Sequence, residues 1–172
     1  AAYRRLSDNA DDDSGVCALM RYTLRLLTTQ QFARSAAMIL ALEAIRSGRV
    51  AAPEGLPLQG GEPFSIGLWV GGDATPNKRT AAYASVVQHS QEVASPKQLA
   101  CCPACGSKLK WSMASTTSPV EVSCENTECV MYGPLPVHTV DEDIYDIRPT
   151  LLIGTVDKFA QVVREQRTNR LF

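Results

Sequence analysis

Two short cysteine pairs carry the clearest chemistry in this sequence. Cys102-Pro-Ala-Cys105-Gly106 puts two thiols on one tight turn, and Cys124-Glu-Asn-Thr-Glu-Cys129 supplies a second pair eighteen residues further on. Thiolates are soft donors, and four of them from two turns close a tetrahedral shell around zinc. Such a shell keeps no position open for water, so the expected metal is structural rather than catalytic. The expected ligands are Cys102, Cys105, Cys124 and Cys129, and the stretch between the pairs suits a short hairpin. Cys101 is left over, a bystander or an exchange partner for Cys102. His89 and His138 have no ligand spacing to the cysteines and read as ordinary polar residues.

A second chemistry is suggested where apolar runs give way to polar residues ahead of helices. Arg21, Thr23 and Arg25 lie between an apolar run and a long helical pattern. Gly71-Gly72 follows Phe64-Ser-Ile-Gly-Leu-Trp-Val70, and Thr155 and Lys158 follow Pro149-Thr-Leu-Leu-Ile-Gly154. Hydroxyls, cations and free N–H groups at a helix start suit phosphate. The plainer readings are a helix cap, since Thr28-x-x-Gln31 fits a capping box, and a tight turn at the two glycines. Parallel α/β sheets collect ligands at the carboxyl ends of their strands, and here the pattern occurs three times. Asp141-Glu142-Asp143 reads as a solvated acidic turn, because no Gly-x-x-x-x-Gly-Lys-Ser/Thr loop exists to hold a nucleotide's phosphates.

These residues need strands and helices to hold them. Val16 to Met20, behind the loop Asp11 to Gly15, reads as a buried strand with Cys17 as a small hydrophobe inside it. Phe32, Ala36, Ile39 and Leu40 share one face of a helix running to about Arg46; Met38, Leu42 and Ile45 widen that face until the helix is largely covered. Ala51 to Pro63 is a Pro/Gly-rich loop. Thr75-Pro76 resembles a cap and first helical residue, with a weaker helix over Ala81 to Val93 and a polar joint at Ser95-Pro96-Lys97. Thr155 is expected to cap a last helix bearing Val156, Phe159, Ala160 and Val163 on one face.

Composition sets the outer bounds. The 172 residues suit one domain with a small insertion, and 17 basic against 18 acidic residues make nucleic-acid binding a matter of local patches. No run approaches membrane-spanning length, and clustered cysteines without a secretory signal favour metal over disulfides in a reducing cytoplasm. A chain opening Ala-Ala-Tyr-Arg-Arg is expected to be a piece of a longer protein.

The order of these segments resembles the first RecA-like domain of superfamily 2 helicases. Tyr22-Thr23-Leu-Arg-Leu26 is similar to motif Ia, with Tyr22 where proline is usual. Gly71-Gly72 is similar to the Gly-Gly element. Gly154-Thr155-Val-Asp-Lys158-Phe159 is similar to motif Ib, with Val156-Asp157 in place of Pro-Gly. The wording Met-Arg-Tyr-Thr-Leu-Arg-Leu-Leu-Thr-x-Gln-Gln-Phe, Phe-Ser-Ile-Gly-Leu-Trp-Val-Gly-Gly, Cys-Pro-x-Cys-Gly and Asp-Glu-Asp-Ile-Tyr…Arg-Pro-Thr-Leu-Leu-Ile-Gly-Thr-Val-Asp-Lys-Phe-Ala is similar, more narrowly, to the helicase of DISARM phage-defence systems, over roughly Val16 to Ala160.

The resemblance implies an α/β fold: a partial RecA-like parallel sheet over residues 1–98 and 135–172, flanked by helices, with a zinc-ribbon-like insertion at 99–134. It implies that Thr23, Gly71, Gly72 and Thr155 line the path of one strand, single-stranded DNA by expectation, with Arg21, Arg25 and Lys158 supplying charge. It implies that the ATP motifs lie before Ala1 and after Phe172. ATP and magnesium would then belong to the intact helicase, this stretch alone would be inactive, and its partners would be the rest of that chain and other defence subunits, with no membrane. The competing expectation is a zinc-stabilised interaction or regulatory module without motor activity.

Overall fold

The computed structural model describes residues 15–23, 25–54, 61–161, 168 and 171. The expected loop at 11–14, residues 55–60 of the Pro/Gly stretch, and Val163 lie outside them. The central element is β7 (Leu151–Thr155), every residue of which is buried. On one side it pairs in parallel with β1 (Ala18–Tyr22), and on the other with β2 (Ile66–Trp69), which pairs in turn with the short β6 (Val137–His138). The resulting order, β1-β7-β2-β6, is a parallel sheet of four strands. A run such as Leu-Leu-Ile belongs at its centre because both faces there are covered.

Helix α1 (Arg25–Arg46) covers one face. Its expected stripe is the one it buries: Phe32, Ala36, Ile39, Leu40 and Ala44 pack with Ile66, Leu68, Leu151 and Ile153. The wider covering does not occur, for Met38 is half exposed. The helix also starts a turn earlier than the capping-box reading requires, so Thr28 lies inside it, fully buried. On the opposite face Trp69 and Leu152 meet Ile144 and Tyr145 of α3 (Asp141–Ile147) and Phe159 of α4 (Val156–Gln161). Trp69 sits edge-on to Tyr145 and to Phe159, with ring centroids 6.2 and 5.3 Å apart.

Several expectations are corrected. β1 is an edge strand rather than a buried one: Leu19 and Met20 are exposed, and Cys17 is an exposed thiol just ahead of it. Helix α2 is short, Arg79–Val86, and its N-cap residue, Lys78, makes no cap with its own side chain. Thr75 is buried instead of capping. The acidic turn is not solvated either, since Asp141 and Asp143 are buried at the start of α3. Thr155 is the last residue of β7 and stands immediately before α4, the place expected for it.

Between α2 and α3 the chain forms a second sheet. Strands β3 (Leu109–Ser112) and β4 (Glu121–Cys124) make an antiparallel hairpin, and β5 (Gly133–Pro134) adds to β4. This hairpin does not stand apart. Cys102, Cys124, Cys129 and Met131 belong to the same apolar cluster as Phe32, Ile39 and Leu40 of α1. Arg49, just past α1, donates to the carbonyls of Val130 and Tyr132, each at 3.3 Å.

Candidate metal centre and strand edge

The two cysteine turns face each other. Gly106, at φ +74°, lets the first turn close, with its N–H donating to the Cys102 carbonyl at 2.8 Å. The sulfurs of Cys102 and Cys129 are 3.9 Å apart, those of Cys105 and Cys124 are 3.6 Å apart, and all four lie within 4.8 Å of one another. A tetrahedral zinc with Zn–S bonds of about 2.3 Å holds its sulfurs about 3.8 Å apart, so the set fits that ion closely. None of the four is in a disulfide. The donor chemistry and the spacing therefore suit a metal such as zinc, held by the four cysteines that the sequence points to.

The surroundings divide the four thiols. Hydrogen bonds from the Ser107 side chain and backbone pull Cys105 down to about 6. Burial pushes Cys124 up to about 12 and raises Cys129 as well. Buried thiols hold their protons until a cation replaces them, so loading the site releases protons. Cys129 Sγ also accepts from the Met131 N–H at 3.3 Å, one of the contacts that orient a metal-binding sulfur. Cys101 is exposed and stands outside the group of four.

The strand ends gather at the carboxyl edge of the parallel sheet. In register, Arg21 lies opposite Gly154, Tyr22 opposite Thr155, and Trp69 opposite Gly154. Thr23 thus follows directly beside Thr155, and Gly71-Gly72 leaves the neighbouring strand two residues past Trp69. Arg21, Thr23 and Gly72 are exposed, Gly71 is half exposed, and Thr155 is buried. The Arg25 side chain lies outside the described residues.

Lys158 departs from its expected role. It is 1% exposed, its ammonium pairs with the Asp141 carboxylate, and it donates to Asn77 Oδ1 at 3.0 Å. A cation so enclosed is not presented to a passing strand. It joins three segments instead, those that follow β2, β6 and β7. The backbone reinforces the junction, with the N–H groups of Asp141 and Glu142 donating to the carbonyls of Pro76 and Asn77, both at 3.3 Å.

A second ion cluster lies alongside and was not legible beforehand. Arg79 Nε donates to Asp143 Oδ1 at 2.6 Å, and its Nη2 pairs with Asp146 at 2.7 Å. Asp143 Oδ2 accepts from the Val120 N–H at 3.0 Å, which ties the cysteine hairpin to α3. Burial pushes the Asp143 carboxyl up, against the opposing pull of Val120 and Arg79. The Arg79 N–H is met by Glu142 Oε2 at 2.8 Å, so a carboxylate from α3 caps α2. The only sequence signal for these contacts was the acidic first turn of α3, where carboxylates are favoured.

The chain is 37% identical to DISARM protein DrmA from Bacillus paralicheniformis (strain ATCC 9945a / NCIMB 11709 / CD-2) over 190 aligned positions. The match spans 99% of this chain but 16% of that relative's length. No family model matches the chain. No helix among the described residues is long and apolar enough to cross a membrane.

Proposed function

We propose that this chain is part of a DISARM phage-defence protein, and that it contributes to an ATP-driven helicase or translocase by gripping the backbone of one nucleic-acid strand. The observation that carries the reading is the shared carboxyl edge, where the ends of β1, β7 and β2 bring Thr23, Thr155 and Gly71-Gly72 side by side. The likeness of these segments to helicase motifs, and of nearly the whole chain to DISARM protein DrmA, supports it. In this reading the strand is single-stranded DNA and its phosphates meet hydroxyls and backbone N–H groups, with Arg21 supplying charge. Contacts of this kind position a strand without reading its bases. The region is RecA-like, ATP and magnesium are handled elsewhere in the protein, and a structural zinc on Cys102, Cys105, Cys124 and Cys129 holds the hairpin against α1.

The test uses the intact protein. Thr23→Ala should lower the ATP hydrolysis stimulated by an oligo-dT strand about tenfold, well beyond its effect on the basal rate. Equal losses of both rates would make Thr23 a fold residue. An intact protein that hydrolyses ATP in neither condition would favour the interaction module without motor activity. Elemental analysis should find one zinc per chain, and protein purified without chelator yet lacking zinc would remove the metal from the account.

A further inference from the structure

A cavity of about 600 Å³ opens beside the β2 strand end, lined in part by Gly72, Asn77, Lys78, Thr80, Gln91 and Glu92. Its size is that of a small-ligand site, and of its lining only Gly72 belongs to a binding motif read from the sequence. Three features of the lining matter. An ammonium only donates, so the Asn77 atom facing Lys158 must be the amide oxygen. That pins the amide and leaves Nδ2, a donor with no acceptor among the described residues, against Gly72. Here a Cβ on Gly72 would come within 2.8 Å of Nδ2, so only glycine leaves the approach open. Lys78, next in sequence, is exposed, and no carboxylate pairs with it among the described residues. The buried cation, Lys158, thus orients a donor, while the neighbouring exposed one remains available.

We infer that Asn77 and Lys78 form a phosphodiester site in this cavity, with Lys158 and Asp141 as the positioning pair behind it. The inference rests on the strand-binding reading and extends it by one phosphate past Gly72. Asn77 Nδ2 and the Lys78 ammonium take the non-bridging oxygens, and the Thr80 hydroxyl lies within the same lining. Asp73 and Glu92 also line the cavity. Their carboxylates would repel the double charge of a terminal phosphate more than the single charge of a diester within a strand. The charge that the sequence assigned to Lys158 is delivered by Lys78.

The experiment is a fluorescence-anisotropy titration of the intact protein with labelled oligo-dT over a series of salt concentrations. Lys78→Ala should reduce the slope of log affinity against log salt by about 0.7 and weaken oligo-dT binding severalfold. Asn77→Asp keeps the shape and the oxygen facing Lys158 but turns the outer donor into an acceptor. It should weaken binding at least as much as Lys78→Ala while leaving the thermal midpoint unchanged or raised. Lys110→Ala, on the cysteine hairpin, should leave both slope and affinity as they were. Normal binding with an unaltered salt slope in Lys78→Ala and Asn77→Asp would overturn this site and spare the strand reading. Failure of the unmodified protein to bind oligo-dT would overturn both. Displacement of the strand by inorganic pyrophosphate at lower concentration than by unlabelled oligo-dT would also overturn the site, because it would show a preference for terminal phosphate.

Discussion

Replacing Lys158 with methionine separates two incompatible roles for this residue. Methionine keeps most of the aliphatic stem and removes the ammonium, so packing changes little. Lys158 is 1% exposed and Asp141 is 4% exposed, which means the substitution takes the ammonium from a carboxylate held away from water. Breaking a buried pair by deleting one partner costs about 3–5 kcal/mol. For a chain of this length each kcal/mol moves the thermal midpoint by about 2–4 °C, so a fall of roughly 6–20 °C is expected. Urea denaturation followed by circular dichroism would measure the loss directly. The partner substitution, Asp141→Asn, removes the carboxylate's charge, and the double variant should recover part of the loss, with a coupling of about 0.5–3 kcal/mol. A Lys158→Met protein within about 1 kcal/mol of the parent, with no coupling to Asp141→Asn, would refute the reasoning. It would mean that the ammonium faces water, as a strand-binding cation would.

Two further outcomes follow from packing and burial. Gly154→Ala should destabilise by about 1–3 kcal/mol, because its Cβ would lie 2.9 Å from the Trp69 carbonyl oxygen on the adjoining strand; a thermal midpoint equal to the parent's would contradict that close approach. Burial pushes His138 down to about 4, so the folded protein keeps the ring neutral where the unfolded chain, titrating near 6.5, takes up a proton. The stability this group contributes is complete above about pH 6.5 and is lost as pH falls towards about 4, by about 3 kcal/mol at most. The raised Asp143 carboxyl works with the opposite sign, so the comparison is with His138→Leu, whose urea midpoint should vary less between pH 7.5 and pH 5. Equal variation in the two proteins would rule the histidine out.

What could be read from the sequence was local. The stripe Phe32, Ala36, Ile39 and Leu40 follows from helical periodicity, and the cysteine pairs from the geometry of a turn. The buried run Leu-Leu-Ile in β7 was legible because a central strand needs apolar residues on both faces. The errors concern distance along the chain. Whether Lys158 meets water depends on Asn77 and Asp141, which the fold brings to it from other segments. Whether Val16 to Met20 is a central or an edge strand depends on which strands pair with it, and no window of that length holds the answer. Asp141 and Asp143 looked like a solvated turn because their partners, Lys158, Arg79 and the Val120 N–H, come from three other segments.

The sheet order has a consequence for how this protein is made. β1 pairs with β7, whose residues lie about 130 positions later in the sequence. On a ribosome working at about 5–20 residues per second, β1 waits on the order of ten seconds before its partner exists. In that interval the β3–β4 hairpin, whose contacts are short-range, has already been synthesised with all four clustered cysteines. Local contacts form ahead of distant ones. The hairpin can therefore close, with a metal where the four cysteines hold one, while α1 still lacks the sheet face it will cover. Since Cys102, Cys124 and Cys129 pack with α1, the loaded hairpin would offer the helix its first apolar surface. If the four cysteines hold a metal, its supply during synthesis, more than after it, would bear on how much of the chain reaches the folded state.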